Sequence, residues 1–393
     1  MSRVTVLASQ VKNVGKIPLT AAVQLLSVGK GIDDNLIGLQ KQVNARVGVA
    51  SEVRDSDKPW SFRMIWTWCG GHADWSDEKW LELLDRLVQA GISGVLLGGP
   101  PAQVRRVAPV AKSAGLAVHA WMWTFCRPSD EVAEKHLDWY QVSREGKSSL
   151  TVPPYVGYYK WLCPSNEDAV QHILKTAEAL AVIPEIDAVH MDYLRFPDVI
   201  LAKGLQPKYG IVQDREYPQW DFCYCERCVA AFKKASGISV NEADDPPSIP
   251  AWKEFRYALI QKAVDRVRSV SSRGGKQLSA AVFPHPELAR FICRQSWDDF
   301  DVDAYFPMTY QNFYEESIEW IGEACSKGVS ALRLKGKESA LYAGLYLPSL
   351  SSEDQFREAI EAALSNGADG VSLFDAENLL PYHFKVLTSL NSG

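Results

Sequence analysis

The sequence predicts a (β/α)8 barrel of the TIM type, with long insertions after the third and fourth strands. Three observations carry this expectation. From residue 60 onward, eight short apolar runs alternate with amphipathic segments, the pattern of a parallel sheet crossed over by helices. Eight such units and little else match one barrel. The Gly/Pro cluster at 98–101 lacks the G-x-G-x-x-G spacing that a doubly wound nucleotide-binding sheet would want. No internal repeat is visible.

The first strand is expected at 62–68 (FRMIWTW). Ser76 then caps a helix at 77–90, with acidic residues in its first turn and Gly91 after it. The second strand is GVLL at 94–97, and a helix at 102–114 closes on Gly115. The third strand is LAVHAWMWTF at 116–125. A long loop, 126–164, precedes a helix to residue 181, and Ser165-x-x-Asp168 reads as its capping box. The fourth strand falls within 187–196. A second insertion, 197–250, holds a short helix near 227–235. A long helix at 252–271 leads to strands at 278–283 and 302–309. Residues 315–326 are expected to be helical, and the seventh strand covers 339–347. Ser352-x-x-Gln355 caps a helix to residue 364. The eighth strand is GVSLF at 370–374, and a helix at 382–390 ends the barrel. Residues 60–393 thus form the barrel domain and 1–59 an N-terminal extension. The apolar stretch 17–28 follows Arg3, Lys12 and Lys16, but Gln24 and the lack of a small-x-small site make it a poor signal peptide.

Composition excludes several classes. The formal charge of −6 argues against a nucleic-acid partner, which usually meets a basic face. No apolar run approaches the ~20 residues of a membrane span. The 13 Trp, 15 Tyr and 14 Phe are an excess of rings. Most should fill the core; some suit a sugar, whose C–H faces stack on aromatic rings.

In such a barrel the active site lies at the C-terminal ends of the strands, and alternation along each strand selects which side chains share a face. The expected face carries Trp66 and Trp68 on the first strand, His119, Trp121 and Trp123 on the third, and His190 and Asp192 on the fourth. The fifth strand and its exit contribute His285 and Glu287; the sixth, Tyr310 and Asn312; the seventh, Tyr346; the eighth, Asp375 and Glu377. Two carboxylates facing one cleft are what glycoside hydrolysis needs. Asp192 is the first candidate, with Glu287 and Asp375 competing to be its partner. The named aromatic, His, Tyr and Asn side chains, with Arg195 and Glu377, are the candidate sugar contacts.

The segment HMDYLRFP, residues 190–197, resembles the H-x-D-Y-x-R-(F/Y)-P signature of glycoside-hydrolase-like TIM barrels, a set of largely uncharacterised bacterial families. FCYCERCVAAF (222–232), WDDFDVDAYFPMTYQNFY (297–314) and GVSLFDAENL (370–379) are similar to the same group in order and spacing. The resemblance covers most of residues 60–390. It implies a TIM barrel, a carbohydrate substrate, an extracellular or envelope location and a catalytic role for Asp192. By analogy of fold, the α-amylase clan places its nucleophile at the fourth strand and its acid at the fifth, which would nominate Glu287 as the acid. Tyr193 and Arg195 belong to the motif but fall off the Asp192 face, as residues that lock the strand tip.

Cys223-x-Cys225-x-x-Cys228 offers three thiolates to a structural zinc, with Cys126, Cys163 or His72 as a fourth ligand. No cofactor is expected for catalysis itself. Two other readings stay open: a non-catalytic carbohydrate-binding barrel, and a metal-dependent deacetylase using His119, His190 or His285 with Asp192.

Overall fold

The computed structural model describes residues 64–72 and 74–391. The expected N-terminal extension, 1–59, lies outside the described residues. Eight strands close into one barrel, in the order β1 to β8 around the ring. They are β1 (Met64–Cys69), β2 (Gly94–Gly98), β3 (Ala117–Trp123), β4 (Ala188–Asp192), β5 (Gln277–Val282), β6 (Ala304–Pro307), β7 (Ala340–Tyr346) and β8 (Gly370–Phe374). Every neighbouring pair is parallel, including β8 with β1. The helices are α1 (Asp77–Gln89), α2 (Pro101–Ser113), α3 (Glu167–Ala181), α4 (Glu226–Ser236), α5 (Pro250–Arg273), α6 (Pro286–Cys293), α7 (Glu319–Leu334), α8 (Glu353–Ser365) and α9 (Pro381–Asn391). Among the described residues, no helix is long and apolar enough to cross a membrane.

Local chemistry sets these boundaries. Ser76 accepts from Lys79 N and Ser352 from Gln355 N, as N-caps of α1 and α8. The cap of α3 is Asn166, which accepts from Ala169 N, and not Ser165; the Ser165 hydroxyl faces sulfur instead, 3.0 Å from Cys163 Sγ and 3.1 Å from Cys228 Sγ. The helix expected at 315–326 starts and ends later, as α7. Residues Gln311–Phe313 make a tight turn and Glu315 takes φ +60°, which delays the start. Gly328 lies inside α7 rather than ending it. A Cβ there would come within 3.1 Å of Leu341 and 3.2 Å of Trp297, so its absence lets the helix close on the barrel.

The barrel interior is packed, not hollow. Trp66 is fully buried against His119, Phe306 and Tyr342, with ring centroids 4.3, 5.5 and 5.6 Å away. Nearer the C-terminal mouth, Trp68 meets Trp121 at 4.8 Å, His190 at 5.1 Å and Phe374 at 5.8 Å. Trp68 also donates to Ser372 Oγ at 3.3 Å. Two glycines of β2 make room for the indoles: a Cβ at Gly94 would lie 2.5 Å from the Trp66 ring, and one at Gly98 2.7 Å from the Trp121 ring. Gly94→Ala is therefore expected to destabilise the fold by about 1–3 kcal/mol through overpacking, read as a lower urea midpoint.

Two excursions rise from this frame: residues 124–166 between β3 and α3, and residues 193–249 between β4 and α5. They meet each other. Ser143 bridges Phe222, Arg144 N donates to Asp221 O, and Tyr224 N donates to Val142 O. Asp221 is paired with Arg256 of α5, both side chains buried, at 2.6 Å.

Candidate active site

Asp192 is the last residue of β4, and its side chain sits at the barrel mouth. The strand, expected within 187–196, ends here, because Tyr193 adopts φ +52° and turns the chain. Asp192 is 9 % exposed. Its carboxyl accepts from Tyr193 N at 2.6 Å and from Trp121 Nε1 at 3.1 Å. Its carbonyl accepts from Thr124 N and Thr124 Oγ1 at 2.9 and 2.6 Å, which fixes the strand tip. Burial raises its pKa above the usual 3.8. The Tyr193 N–H, the Arg195 charge and the Trp121 N–H oppose that rise without cancelling it.

Aromatic side chains gather at the strand tips in two groups. On the β3–β4 side, Trp123 meets Tyr193 at 4.5 Å and Tyr158 at 6.1 Å, and Tyr158 is 42 % exposed. Across the barrel, Tyr310 meets Phe313 at 5.4 Å, Tyr346 at 5.6 Å and Phe374 at 5.8 Å. Tyr310 is buried, and its phenol is held well above its usual pKa, first by burial and then by the charges of Asp192 and Asp375. Tyr310 is thus within electrostatic reach of both carboxylates. Asp375 follows β8 after a cis peptide and accepts from Asn378 Nδ2 at 2.8 Å. Glu377 pairs with His72 Nε2 at 2.6 Å, and His72 stacks on Trp75 at 3.9 Å.

The other sequence candidates fall elsewhere. Glu287 is exposed in the first turn of α6 and lines an outer groove with Lys253, Tyr257, Arg290, Phe291 and Arg294. Lys253 and Tyr257 belong to α5, so this groove lies between helices. His285 caps α6 by accepting from Leu288 N at 3.3 Å, and burial pulls its pKa down to about 4. Asn312 is exposed in the tight turn after β6. Trp66, Trp68 and His190 are core and not sugar contacts: they are 0, 2 and 0 % exposed, because a closed eight-stranded barrel fills its centre with side chains. Arg195 is likewise no sugar contact. Its guanidinium is buried, donates to Phe196 O at 2.9 Å and Asp198 Oδ2 at 3.0 Å, and lies under Trp161, Tyr193 and Phe283. Phe374, Phe313 and Tyr158, which the sequence does not single out, join these ring groups. Alternation through Asp375 and Glu377 puts Leu373 on the inner face of β8, whereas in the structure Ser372 and Phe374 face inward, against Trp68.

His119 and His190 do not converge on a metal site. Both aim Nδ1 at one hydroxyl, Ser279 Oγ, at 2.9 and 2.8 Å. That oxygen has one proton, so it donates to one ring and accepts from the other, and the two imidazoles carry opposite tautomers. Burial holds His190 at about 3 and His119 well below 6.5. A base depressed in the fold adds stability above its unfolded pKa, and that contribution is lost as pH falls from 6.5 toward 3. The urea midpoint is expected to drop across that window, and His190→Asn to flatten the slope; an unchanged slope would refute the assignment. Among the described residues, the one group of three or more His, Cys, Asp or Glu side chains close enough to share an ion is Cys163, Cys223, Cys225 and Cys228.

No family model matches the chain, and no curated protein does. Solved structures do. The barrel is similar to the glycoside hydrolase domain of PgaB (BpsB) from Bordetella bronchiseptica, with a TM-score of 0.59 and 14 % identity, over 83 % of this chain and 98 % of that one. It is similar to the catalytic domain of beta-amylase from Paenibacillus polymyxa, with a TM-score of 0.56 and 13 % identity, over 83 % and 95 %. A beta-galactosidase from Rahnella sp. R3 matches with a TM-score of 0.58 and 10 % identity over 86 % of this chain, which spans 56 % of that one. At these identities the likeness is one of fold: a closed barrel of the kind that glycoside hydrolases use.

Proposed function

We propose that this chain is a glycoside hydrolase acting on an oligo- or polysaccharide, with residues 60–393 as its catalytic unit. The observation that carries the reading is Asp192: a buried carboxyl with a raised pKa, at a strand's C-terminal tip, bonded to the Trp121 indole and next to the Trp123–Tyr193 ring pair. Glycoside hydrolysis needs a carboxylic acid that is still protonated when it meets the leaving oxygen, and burial provides one. Asp192 gives that proton. Asp375, the other carboxylate that bears on Tyr310, supports the developing positive charge on the sugar or activates water. Tyr310 stays a neutral phenol beside them. The rings of Trp123, Tyr158, Tyr346 and Phe374 receive sugar faces. Glu287, turned toward α5, takes no part. This chemistry runs on carboxylates and calls for no cofactor.

The test is release of new reducing ends from a broad panel of glycans, followed against pH. Release is expected, with a rate that falls as pH rises through the raised Asp192 pKa, because the acid form does the work. Glycan binding without release at any pH would replace the enzyme with a carbohydrate-binding barrel.

A further inference from the structure

We propose that Cys163, Cys223, Cys225 and Cys228 bind one zinc ion as a closed tetrathiolate centre, which clamps the two long excursions together beside the Asp192 tip. The four sulfurs come from separate parts of the chain. Cys163 ends the 124–166 excursion just before the cap of α3, and the other three lie in the 193–249 excursion, with Cys225 as the cap of α4. All four donor atoms lie within 4.8 Å of one another. Cys163 Sγ is 3.5 Å from Cys228, 3.6 Å from Cys225 and 3.8 Å from Cys223. A zinc–sulfur bond of about 2.3 Å in a tetrahedron requires sulfurs about 3.8 Å apart. The cysteines are free thiols, and these separations are far beyond a disulfide bond of about 2.04 Å.

The surroundings fit thiolates. Val142 N donates to Cys223 Sγ at 3.4 Å and Cys228 N to Cys225 Sγ at 3.5 Å. The Ser165 hydroxyl stands 3.0 and 3.1 Å from Cys163 and Cys228 sulfur. Donors arranged around the sulfurs are what a thiolate-bound metal uses to spread its charge. Four buried or half-buried thiolates need a cation, and soft sulfur in a tetrahedron selects zinc over oxygen-loving ions. Four protein ligands leave no open position, so the ion is structural and takes no part in hydrolysis.

The clamp has a route to the candidate site. Trp161, two residues before Cys163, packs on Tyr193 at 5.6 Å and lies 4.9 Å from the Arg195 guanidinium. Tyr193 follows Asp192 and donates its N–H to that carboxyl. The centre therefore holds the aromatic wall of β3–β4 in place.

Elemental analysis of the full chain, purified under reducing conditions from zinc-supplied cells, tests this. About one zinc per chain is expected, falling to near zero in a Cys225→Ser/Cys228→Ser variant and unchanged in Cys325→Ser, whose thiol is buried elsewhere. Should the double variant fail to fold, cobalt(II) exchanged into the wild-type chain decides independently: tetrathiolate ligation gives intense sulfur-to-cobalt charge transfer and tetrahedral ligand-field bands. Chelation should also expose 124–166 and 193–249 to protease while the barrel helices stay protected. Zinc-free protein with four titratable thiols, iron in place of zinc, zinc retained by the double variant, or a cobalt spectrum without thiolate charge transfer would each overturn the proposal.

Discussion

Asp192→Asn is expected to leave a folded barrel that binds glycan but releases reducing ends about 10²–10⁴ times more slowly, the usual worth of a positioned proton donor. The amide keeps the size of the carboxyl and can still accept from Tyr193 N, but it has no acidic proton to transfer. Its NH2 group faces the Trp121 N–H that the carboxylate accepts from, so one hydrogen bond is lost. A second effect runs the other way. Because burial raises the Asp192 pKa, the stability it contributes is complete below its unfolded value near 3.8 and is lost as pH rises through the folded value. Asparagine carries no such penalty, so the variant should gain stability on the wild type as pH rises across that window. Rates from a reducing-end assay, calorimetric glycan binding and urea melts at several pH values measure all three. Equal rates in wild type and variant would remove Asp192 from the chemistry.

Asp221→Ala should cost about 3–5 kcal/mol in urea unfolding followed by tryptophan fluorescence, the range for stranding one partner of a buried ion pair. Arg256 and Asp221 side chains are each 1 % exposed. The Asp221 carboxylate takes Arg256 NH1 at 2.6 Å and the Tyr224 hydroxyl at 2.5 Å. Without it, the Arg256 guanidinium stays buried among Trp252 and Tyr224 rings with one carbonyl, Phe222 O, still accepting from it. The loss reaches past one pair, because residues 221–224 are where the two excursions meet. Replacing both partners, as Asp221→Leu with Arg256→Met, should recover much of the loss, since no charge is then left unpaired. A cost below about 1 kcal/mol would mean that the 193–249 excursion melts separately from the barrel.

The barrel was legible along the chain because its determinants are local. Apolar runs such as GVLL and GVSLF, helix caps such as Ser76 and Ser352, and terminating glycines such as Gly91 and Gly115 each act within a few residues. Alternation also placed Asp192 at a strand tip with Trp121 and Trp123 beside it, and the structure brings these together. At the β4 exit, where Tyr193 turns left-handed, Arg195 lies off the Asp192 face, as alternation has it, and packs into the core with Asp198. Alternation failed where the backbone leaves the strand. The β5 exit becomes α6, so Glu287 faces an outer groove.

The sequence by itself determined the alternating elements, the eightfold count and the carboxylate at the end of β4, since each depends on side-chain periodicity and short-range capping. Only the tertiary structure decided which indoles are core and which line the mouth, that Tyr310 bears on both Asp192 and Asp375, and that Cys163 is the fourth sulfur rather than Cys126 or His72. Cys126 Sγ lies instead 3.6 Å from Tyr158 O, and His72 is held by Glu377. These pairings join residues from 32 to more than 300 positions apart, and the longest exist only once the strands have closed the ring and carried their loops to the same end of it.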